Sequence, residues 1–290
     1  MLNKLGGSKQ LGIRLQVMLF LEFEFGKSLS RKLARVLAVL LLSGALSCCV
    51  TTTTGGFMAD ASEERAATDY IQLALAYFDN RDMPGARRHV NNALDIDNGI
   101  SDAYMVLAMI FQREGDLDLA DSNYQRAISL DKDNSSARNN YAAMLFSQER
   151  FRESYEQLER VANDTSYEGR SLVFEGLGRS ALRLGRQEEA KAAFQRALQL
   201  NENLFIAPLE LALIYFDQQD YPRARQYYRN YLTTIQFLQL PHTPRALLAG
   251  IQIEGYFQNK EFVENFSLVL STLYPTSPEY QRFQRLSDAN

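Results

Sequence analysis

The sequence predicts an all-α protein, a solenoid of about six helix-turn-helix units. Three observations predict it. From Ala67 onward one pattern of large and small residues returns about every 34 residues. Within each return, apolar residues recur three and four apart, the spacing of one helix face. Between returns lie short clusters such as Asp95-Ile-Asp-Asn98, Asp131-Lys-Asp-Asn134 and Asn201-Glu-Asn203, where helices end and the chain turns.

Composition narrows the function classes. The 290 residues are 46% hydrophobic and 23% charged, ordinary for a packed protein. Lys and Arg number 31 against 35 Asp and Glu, a net charge of −4 that disfavours a nucleic-acid partner. The two Cys, Cys48 and Cys49, are adjacent and cannot staple distant segments. His89 and His242 are too few for a structural zinc site or a His-centred triad. The chain carries no G-x-S-x-G, phosphate loop, H-E-x-x-H or paired-Cys metal motif. No catalytic residue, metal, cofactor or small-molecule substrate is therefore expected, and acidic pairs such as Glu63-Glu64 and Glu188-Glu189 read as solvated helix faces.

Residues 1–48 read as an N-terminal extension and a signal peptide. Lys27 to Arg35 is basic, and Val36 to Leu46 is a short apolar run. A spanning helix needs about 20 apolar residues, so this run is a leader and not a membrane span. Met18 would open a leader of more usual length than Met1. The run ends in Leu46-Ser-Cys-Cys49, which resembles the lipobox of bacterial lipoproteins: a branched aliphatic, small residues, then Cys. The resemblance implies cleavage before a lipidated Cys49, with Cys48 the alternative acceptor. The covalent lipid would hold the protein on the periplasmic face of the outer membrane, because Val50 replaces the Asp typical of inner-membrane retention. Residues 49–66 then form a tether, opening with the polar stretch Val50 to Gly56.

Residues 67–290 are the repeat domain, with units near 67–100, 101–134, 135–168, 171–204, 205–238 and 246–279. The first unit places Tyr70, Leu73, Ala74, Tyr77, Ala86, Val90 and Ala93 at the repeated positions; the second places Tyr104, Leu107, Ala108, Phe111, Ala120, Tyr124 and Ala127. The third is weaker, with Arg138, Tyr141, Ala142, Leu145, Ser154, Leu158 and Val161. Phe174, Leu177, Gly178, Ala181, Ala190, Phe194 and Ala197 make the fourth, and Pro208, Leu211, Ala212, Tyr215, Ala224, Tyr228 and Tyr231 the fifth. A degenerate sixth keeps Tyr256 and Phe262. Small residues let two antiparallel helices approach, and large ones fill the space to the next pair. The pattern resembles the tetratricopeptide repeat, whose units stack because one alone buries too little surface; the resemblance implies a right-handed superhelix. About twelve helices and no sheet are expected, with Ala86, Ala120 and Ala190 buried.

In that repeat family, positions 2, 5, 9 and 12 of each first helix face a concave groove. Here they include Ile71, Leu75 and Phe78, then Met105, Met109 and Gln112, then Asn139 and Phe146. Such a face would suit an apolar or amphipathic peptide of a partner, Met adapting its shape and Phe supplying area. A terminal helix of the chain itself is the alternative occupant. Asn139 lacks the Lys and Arg set of a basic carboxylate clamp. Glu175 and Arg179 are one turn apart and are expected to pair.

The lipobox followed by six such units resembles the PilF/PilW family of type IV pilus biogenesis lipoproteins. The leader end Leu46 to Val50, the weak third unit, Pro244 to Ile253 and Leu273-Tyr-Pro-Thr-Ser-Pro-Glu-Tyr280 carry the resemblance. It implies a pilotin, which escorts the pilus secretin to the outer membrane and promotes its multimerisation. A lipoprotein adaptor for cell-wall or envelope enzymes would share the anchor and the repeats.

Overall fold

The computed structural model describes residues 56–288, and the chain from Met58 onward forms one compact unit. The leader, Cys48 and Cys49 lie outside the described residues. Among those described there are thirteen helices and no strand. Twelve make six antiparallel pairs: α1 Gly56–Asp79 with α2 Met83–Ile96, α3 Ser101–Glu114 with α4 Leu117–Leu130, α5 Ser135–Ser147 with α6 Phe151–Asn163, α7 Arg170–Arg183 with α8 Gln187–Leu200, α9 Ile206–Asp217 with α10 Tyr221–Leu238, and α11 Pro244–Tyr256 with α12 Lys260–Leu273. The thirteenth, α13 Pro278–Asp288, follows as a half-unit. Its Tyr280 and Phe283 pack on Leu247, Ile251 and Leu270, closing the end of the stack. At the other end α1 reaches back to Gly56, into the stretch expected as tether.

One turn joins the helices of every pair. The closing residue is left-handed: Gly115 at φ 92° and Gly185 at φ 75°, but Arg81, Glu149, Gln219 and Gln258 at φ between 55° and 63°. The backbone N–H of the next residue reaches back to a carbonyl in the last turn. Asp116 donates to Phe111 O at 2.9 Å, Arg150 to Leu145 O at 2.9 Å and Asp220 to Tyr215 O at 2.8 Å, the bond of a Schellman stop. The following helix opens on a cap: Asp82 accepts from Gly85 N at 2.8 Å, with Pro84 in the first turn, and Asp220 from Arg223 N at 3.2 Å, with Pro222. A Cβ at Gly115 or Gly185 would touch nothing within 4 Å. Gly185→Ala should therefore lose only backbone energy, about 1 kcal/mol, read as a lower urea midpoint with an unchanged slope. An unchanged midpoint would mean the turn relaxes.

Small residues sit where helices cross. Ala86, Ala120 and Ala190 are fully buried, as the period requires. At Gly178 an added Cβ would lie 2.6 Å from the ring of buried Phe194, so that pair of helices crosses closer than a methyl allows. The weak third unit folds like the rest because its odd residues are satisfied. Arg138 is buried, yet it donates to Lys132 O at 2.9 Å and to Gln157 Oε1 at 2.6 Å. Ser154 donates to Ala142 O at 2.9 Å. First helices of successive units touch from α3 to α13, forming one layer, and each second helix from α2 to α10 meets the next unit's first helix.

Candidate functional site

The first helices place the expected groove residues differently from a simple exposed stripe. Ile71, Phe78 and Met105 are each only 6% exposed and belong to the core of the first three units. Leu75 and Met109 are partly buried against the same core. These positions, expected to face an open groove, are instead largely covered, for two reasons. Neighbouring first helices abut, and Asn140 brings its amide nitrogen to 3.7 Å and 3.8 Å from the sulfurs of Met105 and Met109. Cations also roof the aromatic faces, with the Arg113 guanidinium 4.7 Å from the centroid of Phe78. What stays open is a cavity of about 330 Å³, which brings together Phe78, Met109 and Gln112. Gln112 also accepts from Tyr124 OH at 3.0 Å.

A larger cavity, about 810 Å³, lies further along. Its lining includes Phe146 from α5, Arg179 and Leu182 from α7, and Ile206 and Leu209 from α9. These are repeat positions 12, then 9 and 12, then 2 and 5, so this cavity is the groove of units three to five. Asn139 is not among its residues; it borders a smaller space of about 370 Å³ with Phe146, Leu172 and Arg179. Sequence reasoning missed the other wall, built from Tyr231 and Ile235 of α10 and from Leu240, Pro241 and Pro244 beyond it. α10 runs to Leu238, longer than the second helices before it, and Gln239 turns left-handed at φ 53° to end it. The signal was in the sequence: Leu232, Ile235 and Leu238 continue helical spacing past Tyr231, the last repeated position.

The electrostatics of this cavity follow from which charges are paired. Arg245 donates from both terminal nitrogens to Glu210, one of them at 2.7 Å to Oε2, and Glu210 itself is only 6% exposed. That hydrogen bonding holds the Arg245 guanidinium above its ordinary pKa. Glu175 and Arg179 do not form the expected ion pair. Glu175 is buried and accepts from the backbone N–H of Ala207 at 3.0 Å, and burial raises its pKa. The Arg179 guanidinium lies over Phe146, 4.5 Å from the ring centroid. Burial pushes the Tyr231 hydroxyl up to about 12, so it stays neutral. Among the described residues no group of three His, Cys, Asp or Glu could hold a metal, and no helix is long and apolar enough to cross a membrane.

Paired helices stacked around an apolar groove, with charged rims, define a tetratricopeptide-repeat scaffold that binds other proteins. Models of the tetratricopeptide repeat match residues 101–134 and 176–236. The type IV pilus assembly protein PilF of Pseudomonas aeruginosa is 35% identical over 251 residues, covering 86% of this chain and 98% of that one. An uncharacterised protein of Haemophilus influenzae is 24% identical over 151 residues, 52% of this chain and 80% of its own. A solved structure from the functional characterisation of the Pseudomonas aeruginosa pilF product superposes with TM-score 0.72 at 35% identity, over 77% of this chain and 99% of that one. PilW, described as a widely conserved type IV pilus biogenesis factor, shares the fold at TM-score 0.62 and 23% identity, over 75% of this chain and 98% of its own. The chain belongs to the PilF/PilW family of type IV pilus assembly proteins. Its members are repeat scaffolds and not enzymes.

Proposed function

We propose that the protein is a pilotin: a lipoprotein of the outer membrane, on its periplasmic face, that binds the subunit of the pilus secretin and promotes its localisation and multimerisation. The observation that carries the reading is the 810 Å³ apolar-floored cavity on the groove face of a chain in a pilus-assembly family. The lipid on Cys49 would anchor the chain firmly, since each buried methylene contributes about 0.8 kcal/mol and a lipoprotein carries several acyl chains. A tethered scaffold raises the local concentration of captured subunits at the membrane, and assembly follows by mass action without bond-making chemistry.

Deletion of the gene should leave the secretin monomeric, and the full chain supplied in trans should restore heat-stable multimers. Cys49→Ser should bind the secretin subunit but leave it outside the outer-membrane fraction. Lipid labelling that persists in Cys49→Ser and disappears in Cys48→Ser would move the anchor to Cys48. Normal multimers at the outer membrane in the deletion strain would contradict the pilotin role.

A further inference from the structure

We infer that the large cavity recognises a peptide segment that sets a bulky apolar side chain on the floor and a carboxylate against Arg179 and Arg183; this deepens, and rests on, the function proposed above. The floor is Leu182, Ile206 and Leu209, all apolar, beside the wall of Tyr231 and Ile235. The rim along α7 is cationic. Arg179 and Arg183 are one turn apart on the same helix, so their guanidiniums stand on one side of the opening. Each lies over an aromatic ring, Arg179 over Phe146 at 4.5 Å and Arg183 over Phe151 at 4.2 Å. A guanidinium held over a ring keeps N–H donors to offer a carboxylate.

Neither guanidinium makes a short ion pair within the protein, although Arg179 acts electrostatically on buried Glu175. Arg245, the third arginine at the cavity, is neutralised by Glu210. Arg183 has only the exposed Glu149 at 3.8 Å, a pair of little strength in water. No carboxylate lies within 4.0 Å of Arg179 among the described residues, because Glu175 turns to the Ala207 amide instead. Glu210 and Glu279, both beside Arg245, also line the cavity. The cavity therefore joins two cationic side chains of α7 to an apolar lining, with its acidic residues gathered around Arg245. Two guanidiniums held by rings before binding lose little freedom on meeting a carboxylate, which favours affinity. A bare phosphate could use the rim but not the floor, so the complementary ligand is an acidic, apolar peptide.

The test uses the purified full chain and three fluorescein-labelled peptides of one length. Each has a central Leu-Phe, flanked by Glu in the first, Gln in the second and Lys in the third. Anisotropy should show the Glu peptide binding at least tenfold tighter than the Gln peptide, the Lys peptide weakest, and the Glu advantage shrinking with salt. Arg179→Gln with Arg183→Gln should reduce the Glu peptide to the level of the Gln peptide while the chain keeps its helical circular dichroism and a cooperative thermal transition. Equal binding of all three, binding of none, or a Glu advantage that survives the double substitution would overturn the inference. Self-association that the double substitution abolishes, with no peptide bound, would assign the cavity to a second copy of the chain. The function proposed above is tested apart, by secretin capture in cells. A charge series that behaves as expected without secretin capture would leave the cavity chemistry standing and remove the pilotin role.

Discussion

Arg225→Met should destabilise the protein by about 2–3 kcal/mol at pH 7, with the loss shrinking as the pH falls toward 5. Arg225 of α10 donates to both oxygens of Glu254 on α11, at 2.8 Å and 2.6 Å, and so staples the fifth unit to the sixth. The Glu254 side chain is only 4% exposed and that of Arg225 26%. Burial alone would raise the Glu254 pKa, but hydrogen bonds from Arg225 and Asn259 outweigh it and hold the carboxyl low. Removing the arginine leaves a buried charge without its main partner, the costly way to break such a pair. The sign follows from proton linkage. In the wild type the folded-state pKa is depressed, so the carboxylate contributes stability above the unfolded value, lost as pH falls through the folded one. In Arg225→Met burial dominates and the pKa rises above the unfolded value, so falling pH neutralises the stranded charge and recovers stability. Denaturation at pH 7.5 and pH 5 checks this. Glu254→Leu added to Arg225→Met should restore much of the loss. An equal deficit at both pH values would mean that lost packing, not the stranded charge, sets the cost.

Phe205→Gln with Leu240→Gln should abolish secretin multimers and surface pili while leaving the fold intact. Both side chains line the large cavity and are already 37% and 40% exposed, so polar replacements disturb little of the core. Burying two such side chains in a complex would contribute roughly 3–6 kcal/mol before ordering costs, enough to decide whether a transient partner is held. The comparison variant is Met105→Gln. Met105 is buried among the first units, so it should lower stability and not uncouple binding from folding. Normal multimers in a folded, lipidated Phe205→Gln/Leu240→Gln protein would remove the cavity from the secretin site and direct attention to Tyr256, which is 56% exposed, and Phe262 in the last unit.

The period of the repeat carried most of the fold. Ala86, Ala120 and Ala190 are buried where the spacing put them, because the packing of paired helices repeats with the sequence. The third unit looked weak because Arg138 and Ser154 break the apolar pattern. Their partners Gln157 and Ala142 lie on the facing helix and leave no local signal. The groove was less legible for a related reason. Whether Phe78 or Met105 is open depends on what the next units lay over it, here Arg113 and Asn140, and a template read one unit at a time does not contain that. Phe146 was found, but the wall facing it was not, because the extension of α10 lies past the last repeated position, Tyr231, where the pattern specifies nothing. The Glu175–Arg179 pairing failed because helical spacing places two charges near each other without excluding better partners. Glu175 found a buried amide and Arg179 an aromatic ring.

Site-specific photocrosslinking in living cells tests most directly whether the groove of the later units holds the secretin. A benzophenone amino acid would replace Leu240 at the cavity mouth in one strain and Gln199, on the second-helix surface of the fourth unit, in another. The expected result is a crosslink to the secretin subunit from position 240, weakened by Arg179→Gln with Arg183→Gln, and none from position 199. A secretin crosslink from position 199 with none from position 240 would contradict the assignment of the groove as the docking face.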